Sequence, residues 1–327
     1  MRYLKILFVL LGLNLSLMAG GLQVFNGDQT AGLSSSSFKN RIINGDMRVD
    51  QRNVGASQTI TAAAALAYSV DRWYVFATGA NVTGQQTASG AQKRYVFTGA
   101  ASVTGIGFGQ RIEATNCLDM AGSQATLQAK LSSSSLTTIT WTAYYATTTD
   151  TFGTLASPTK TSFATGSFTI SSTEAIYSVP ISVPAAATTG IEIVFTGGAL
   201  LASQTFTIGD VQFESGNFAS SFERLPIRTA LLNCERYAWK FNASLGNTIY
   251  GGNCSGVLIY PVQMRAVPTL AAGATFSVQS GNAGTVSIQT GVAGTGDGTI
   301  SAAFYNSGTA WTVTVYVSVA GFLSAEL

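Results

Sequence analysis

Four acidic residues fall in strand-like runs where they could do chemistry: Glu113, Glu192, Asp210 and Glu214. Glycoside hydrolysis needs two carboxyl groups facing each other across a cleft, ~5 to 9.5 Å apart. Asp210 and Glu214 are four positions apart, and a regular strand would put them on one face. A bulge between them would put them on opposite faces. Histidine is absent, which removes the Ser-His and Cys-His nucleophile pairs and the commonest ligand of catalytic zinc. The cysteines Cys117, Cys234 and Cys254 show no Cys-x-x-Cys metal spacing. Their low, odd number is a poor disulfide framework, so they read as buried thiols acting as small hydrophobes. A Cys234–Cys254 bridge is conceivable, with nothing to support it. No catalytic residue, metal site or cofactor is assigned, and the expectation is a protein without enzymatic activity.

Binding chemistry is the better rival. Sugar recognition uses aromatic rings as platforms beside polar groups, and Trp239, Tyr250, Tyr260, Tyr305 and Tyr316 are the candidates. Tyr316 stands on the polar parity of its strand, yet a lone surface tyrosine equally serves a subunit contact. The glycan-binding residues themselves stay unassigned. The Gly-rich loop "TGVAGTGDGT" at 290–299 lacks the Gly-Lys-Ser/Thr ending of a phosphate loop and no helix follows it, so it reads as a hairpin loop. No acidic cluster predicts calcium. The Asn-x-Ser/Thr sites at Asn81, Asn242 and Asn253 would matter only in a eukaryotic secretory setting. A formal charge of +2 makes no field that would call for nucleic acid.

The elements that must position such residues read as strands. Only 10% of the residues are charged, while 46% are hydrophobic and Ser, Thr and Gly abound. Water-facing helices need Lys, Glu and Arg on the outer face, whereas threonine suits the solvent face of a pleated strand. "VDRWYVF" at 70–76, "LTTITWTAYY" at 136–145, "AIYSVPISV" at 175–183, "IEIVF" at 191–195 and "TFTIGDVQFE" at 205–214 are candidate strands. Pro180 marks an edge strand, and Gly209-Asp210 marks the place where a bulge would restore register. "WTVTVYVSV" at 311–319 alternates cleanly. A helical stripe runs through Ile227, Leu231, Cys234, Ala238 and Phe241, with Pro226 at its start. It suits either packing on its own domain or a seam around an oligomer axis.

The N-terminal "MRYLKILFVLLGLNLSLMAGG" supports two readings. Arg2 and Lys5 before an apolar run, with Ala19, Gly20 and Gly21 after it, fit a cleaved secretory signal. The alternation of Leu11, Leu13, Leu15 and Leu17 with Gly12, Asn14 and Ser16 fits a retained arm that adds a strand to a neighbouring subunit.

Charge is concentrated in "NRIINGDMRVDQRN" at 40–53. Arg41, Arg48 and Arg52 could fork onto Asp46, Asp50, Asp71 and Glu223. The cluster would then pin the two ends of the sandwich, where "NRIINGD" enters and "SFERLP" leaves. A ligand site made of the same residues is the sharper alternative. Taken together, "NRIINGDMRVDQRN", "DRWYV", "QRIEATN", "IGDVQFESGNFASSFERLPI", "LLNCERYAW" and "LIYPVQMRAVPTL" resemble tailed-bacteriophage virion proteins of tail-fibre and head-fibre type. The likeness covers roughly residues 40 to 270. That resemblance implies a jelly-roll domain similar to carbohydrate-binding modules and a trimeric homo-oligomer. It also implies other virion proteins as partners, a host-surface glycan as a further one, and location on the virion.

The expected architecture is all-β. It comprises an N-terminal apolar arm and connector (1–39), an antiparallel jelly-roll β-sandwich (40–224), a short linking helix (225–241) and a second, smaller C-terminal β domain (242–327). The expected role is a non-enzymatic appendage acting in assembly and host-surface attachment. A secreted carbohydrate-binding protein with a cleaved signal peptide is the alternative, and a glycan hydrolase comes third.

Overall fold

The computed structural model describes residues 38–63, 66–248, 253–259, 261–266, 268–270, 275–279, 287–291, 299–305 and 314–327. Two units make up the chain, residues 1–39 and 40–327. The alternating leucines of the N-terminal segment lie outside the described residues.

In the second unit the chain runs through β1 (Gln58–Ile60), β2 (Ala67–Tyr68), β3 (Tyr74–Thr78), β4 (Val82–Ser89), β5 (Gln92–Thr98) and β6 (Gly105–Ile112). A single helical turn, α1 (Ala114–Cys117), precedes β7 (Gln124–Ser133), β8 (Thr138–Ala146), β9 (Lys160–Thr169), β10 (Ala175–Ser182), β11 (Ile191–Gly197) and β12 (Thr205–Ser215). These strands form two six-stranded antiparallel sheets, in the orders β1-β4-β5-β12-β7-β10 and β2-β3-β6-β11-β8-β9. The chain changes sheet at β1–β2, β3–β4, β5–β6, β6–β7, β7–β8, β9–β10, β10–β11 and β11–β12, as a jelly-roll sandwich does. β10, the strand carrying Pro180, is an edge, where the missing N–H costs no ladder bond.

Alternate side chains meet between the sheets. Leu127, Ala129 and Leu131 of β7 and Phe206, Ile208, Val211 and Phe213 of β12 face Phe108, Ile139, Trp141, Ile193 and Phe195 of the other sheet. Burying each large apolar side chain contributes ~1.5–3 kcal/mol. Phe206 and Ile208 have one parity and Val211 and Phe213 the other, yet all four are buried. The register shift between Gly209 and Gln212 reconciles them, with Asp210 in the left-handed region at φ 44°.

The first strand expected, at 70–76, starts later. Val70–Trp73 closes a turn through the Trp73 N–H and the Val70 carbonyl, and Arg72 sits at φ 75°. β3 therefore begins at Tyr74. Trp73 is fully buried, stacks on Phe108 at 4.4 Å, and donates its indole N–H to the Asn44 carbonyl at 3.0 Å.

The helical stripe extends only partway. α2 spans Ile227–Glu235, and Ala238 and Phe241 belong to β13 (Ala238–Thr248), which pairs with β19 (Thr314–Ser324). Ala230 and Cys234 are buried against Val49 while Ile227 is exposed. Helical spacing fails past Cys234 because β19 offers a full ladder of strand partners from Ala238 onward. Between β13 and β19 lie β14 (Asn253–Ile259), β15 (Thr269–Leu270), β16 (Thr275–Gln279), β17 (Ser287–Gly291) and β18 (Thr299–Tyr305). They form a β13-β19-β15 sheet with β16 also on β19, and a β14-β18-β17 sheet. Among the described residues, no helix is long and apolar enough to cross a membrane.

Candidate functional site

The four carboxylates singled out for catalysis are each engaged separately. Glu113 accepts from the Arg236 guanidinium at 3.0 Å. Glu192 is fully buried between Arg111, at 2.8 Å, and Lys160. Asp210 takes Arg94 at 3.0 Å and Arg224 at 3.1 Å. Glu214 accepts from the Ser220 N–H and hydroxyl at 2.8 and 2.6 Å and from the Gln212 amide. Breaking the buried Glu113, Glu192 or Asp210 pair would leave an uncompensated charge.

The motif charges join the chain's entry to its exit. Arg48 forks onto Asp46 and the Leu225 carbonyl, Arg224 reaches back to Asp46 at 3.2 Å, and the Asn40 N–H donates to Glu223 at 2.9 Å. Arg41 pairs with Asp119, and Arg52 with Glu326. Asp50 caps the turn at Asn53 and Gly55, and Asp71 accepts from Gln51. The space between Asn40, Asp46, Arg48, Glu223 and Leu225 is about 20 Å³, about one water probe. Arg48, Asp46 and the Asn40 N–H thus tie the entry to Glu223–Leu225, whereas Arg41 and Arg52, expected to do the same, pair with Asp119 and Glu326 instead. Cys117 and Cys234 are free, buried thiols, both pushed up by burial, Cys117 to about 12. Among the described residues, no three His, Cys, Asp or Glu side chains cluster as a metal site would.

The surface suited to binding is the outer face of the second sheet. Register carries one row across five strands: Phe76 opposite Gly107, then Thr196, Thr140 and Ser167. The neighbouring row is Tyr74, Gly109, Val194, Thr142 and Thr165. Neither row contains a charge. Charge begins one row further on, where Arg111 stands opposite Glu192 and Lys160 shares the same carboxylate. Burial first, then the Glu192 carboxylate, push the Tyr74 phenol well above its ordinary value, so it stays neutral.

The glycines at alternate positions of β6 explain the ring geometry. A Cβ on Gly107 would lie 2.0 and 2.1 Å from Cζ and Cε1 of Phe76, and one on Gly109 would lie 2.3 Å from the Tyr74 hydroxyl oxygen. Both rings therefore lie down across the neighbouring strand instead of standing off the sheet. Tyr74 is buried, while Phe76 is half-exposed, so one face of the Phe76 ring rests on the sheet and the rest meets solvent.

Beyond Thr196 and Thr140 the face opens into a shallow groove of about 510 Å³, lined by Ser135–Thr138, Gly197 and Gly198 as well as those two threonines. Ligand sites run to about 300–1,000 Å³ and combine apolar surface with a few placed polar groups. Thr142 and Thr165 share a hydrogen bond at 3.1 Å. Among the described residues, no group engages the hydroxyls of Thr138, Thr140, Thr196 or Ser167. A flat ring beside a row of unengaged hydroxyls, without charge, suits a ligand with one apolar face and many hydroxyls.

None of the aromatic residues first considered builds this face. Trp239 lies on β13 and contacts Phe241 at 5.3 Å, while Tyr250 and Tyr260 and the side chains of Tyr305 and Tyr316 lie outside the described residues. Phe76 sits in a run that reads as core, and only the alternation Gly105-Ile-Gly107-Phe-Gly109 in the neighbouring strand could have found it. Glycine at every second strand position marks a face that something else approaches closely.

No family model matches the chain, and no curated protein matches it. Among solved structures, the chain is similar to the enzymatically active domain of bacteriophage CBA120 tailspike protein 4. The identity is 15% over 55% of this chain and 22% of that one, with a TM-score of 0.35. It is similar to a CBM4 structure at 16% identity, covering 53% of this chain and 98% of that one, with a TM-score of 0.33. TmCBM61 in complex with beta-1,4-galactotriose is similar at 9% identity, over 54% and 99% of the two chains, with a TM-score of 0.29. The chain thus spans less than a quarter of the tailspike domain's length.

Proposed function

We propose that this chain is a non-enzymatic attachment protein whose sandwich binds an uncharged glycan on the outer face of its second sheet. The observation that carries the proposal is the row Phe76-Gly107-Thr196-Thr140-Ser167, a flat half-exposed ring followed by hydroxyls with no charge among them. A pyranose presents an apolar face to such a ring and hydroxyls to such a row. The engagement of Glu113, Glu192, Asp210 and Glu214 by cations or hydroxyls supports holding a glycan over cleaving one.

The motif resemblance supports a setting on the virion of a tailed phage, as a tail-fibre, head-fibre or decoration appendage that works as a homo-oligomer, with a trimer favoured. Several copies on one axis would turn weak contacts at each face into strong avidity without any new contact. Affinity electrophoresis through gels cast with neutral polysaccharides tests the binding role, with the polysaccharide recovered and sized afterwards. Retardation with the polysaccharide intact is the expected result. Shortened polysaccharide would overturn the non-enzymatic reading, and free migration through every neutral polymer would overturn the glycan reading.

A further inference from the structure

Four arginines from distant parts of the second unit converge on three consecutive residues, Ala325–Leu327. Arg52 and Arg72 both take the Glu326 carboxylate. Arg265 donates to the Ala325 carbonyl at 2.8 Å and to the Glu326 carbonyl at 3.0 Å. Arg111 donates to the Leu327 carbonyl oxygen at 2.6 Å, and the Tyr68 hydroxyl joins it at 2.9 Å. The Ala325 N–H in turn donates to the Tyr237 carbonyl at 2.7 Å. Three successive carbonyls, the first N–H and the acidic side chain are thus all read by the protein around them.

Arg72 and Arg111 are also held by contacts outside Ala325–Leu327. Arg72 is 1% exposed, held by a turn at φ 75°, and its guanidinium lies over the Tyr237 ring at 3.4 Å from the centroid. It also donates to the Arg111 carbonyl, and Arg111 itself is fixed by Glu192 and the Gly153 carbonyl at 2.8 Å each. A cation buried this deeply demands an anion, and Glu326 supplies it. An ordinary packing contact buries apolar surface and has no need to address each backbone group of a segment in turn.

We propose that Arg52, Arg72, Arg111 and Arg265, with Tyr68 and Tyr237, form a binding socket for an acidic peptide, whose resident ligand is the chain's own Ala325–Leu327. The occupied socket acts as a latch. It holds the end of β19, and through β19 the start of β13, against the sandwich. Removing the acid opens the latch while the socket keeps its capacity for a peptide.

The test uses the full chain with Glu326→Gln, and Arg265→Ala as a milder variant should Glu326→Gln fail to fold. Hydrogen exchange is timed at the Ala325 N–H, which donates to the Tyr237 carbonyl in the native protein, and the variants should exchange it at least about tenfold faster. A hexapeptide of residues 322–327 added to Glu326→Gln should raise the melting temperature, whereas the same peptide with Gln for Glu should not. The proposal is overturned if native protein exchanges that amide as fast as denatured protein does. Unchanged exchange in the folded variants, or equal effects of the two peptides, would overturn it as well.

Discussion

The Gly107→Ala substitution probes the geometry of the outer face most sharply. The added methyl would lie 2.0 Å from Phe76 Cζ, and its three nearest neighbours are all atoms of that ring. Ordinary carbon contacts are about 3.5–4.0 Å, so the ring must lift by roughly 1.5–2 Å or swing off the strand. Forced repacking of this kind costs about 1–3 kcal/mol. No backbone penalty is expected, because alanine is at home in a strand where glycine is destabilising by about 0.5–1 kcal/mol. A double-mutant cycle with Phe76→Ala isolates the clash. Urea titrations followed by the fluorescence of Trp73 and Trp141 should give Gly107→Ala a cost of about 1–3 kcal/mol in the parent. In the Phe76→Ala background it should be neutral or slightly stabilising, which leaves a coupling of similar size. An equal cost in both backgrounds would mean that Phe76 does not lie on Gly107, and the platform would be lost with it.

Three further outcomes follow from the buried charges and thiols. Arg94 is 1% exposed and serves both Asp210 and Glu174, so Arg94→Ala should cost about 3–5 kcal/mol in urea titration, and a loss under 1 kcal/mol would contradict the network. Burial lifts Asp71 to about 7, with the Gln51 hydrogen bonds and Arg52 pulling the other way. Its folded value thus lies above the unfolded one, so its contribution to stability is full below about pH 4 and is lost as pH rises to about 7. The parent should therefore lose stability relative to Asp71→Asn across that window, and a difference that stays flat from acid to neutral pH would refute the burial. Cys117 and Cys234, both buried with thiols pushed up, should react with a thiol reagent only on unfolding in a Cys254→Ser background; rapid labelling of that folded variant would contradict their placement.

Much of the sandwich could be read from the chain because it follows local rules. The alternation of Ile139, Trp141 and Ala143, the edge marked by Pro180, and the bulge at Gly209-Asp210 each depend on a few neighbouring residues. The tie from Arg48 to the chain's exit was one of two uses the charge cluster allowed, the other being a ligand site. What escaped depends on partners distant in sequence. Ala238 and Phe241 continue the helical spacing of α2, and only the ladder offered by β19 converts them to strand. Arg72 looks like one more motif charge until Glu326, 254 positions away, is brought to it. Phe76 has the composition of core, and the glycine that lets its ring lie outward is on another strand, 31 positions on.

On the proposed function, the outer face of the second sheet holds an uncharged sugar without cutting it. A microarray of uncharged oligosaccharides probed side by side with the parent protein, Phe76→Ala and the Thr140→Val/Thr196→Val pair tests it most directly. The parent should be retained on a defined set of sugars, and both variants should be lost from that set while unfolding as the parent does, apart from any cost of the lost ring. Equal retention of all three, or no retention of the parent on any uncharged sugar, would contradict the account.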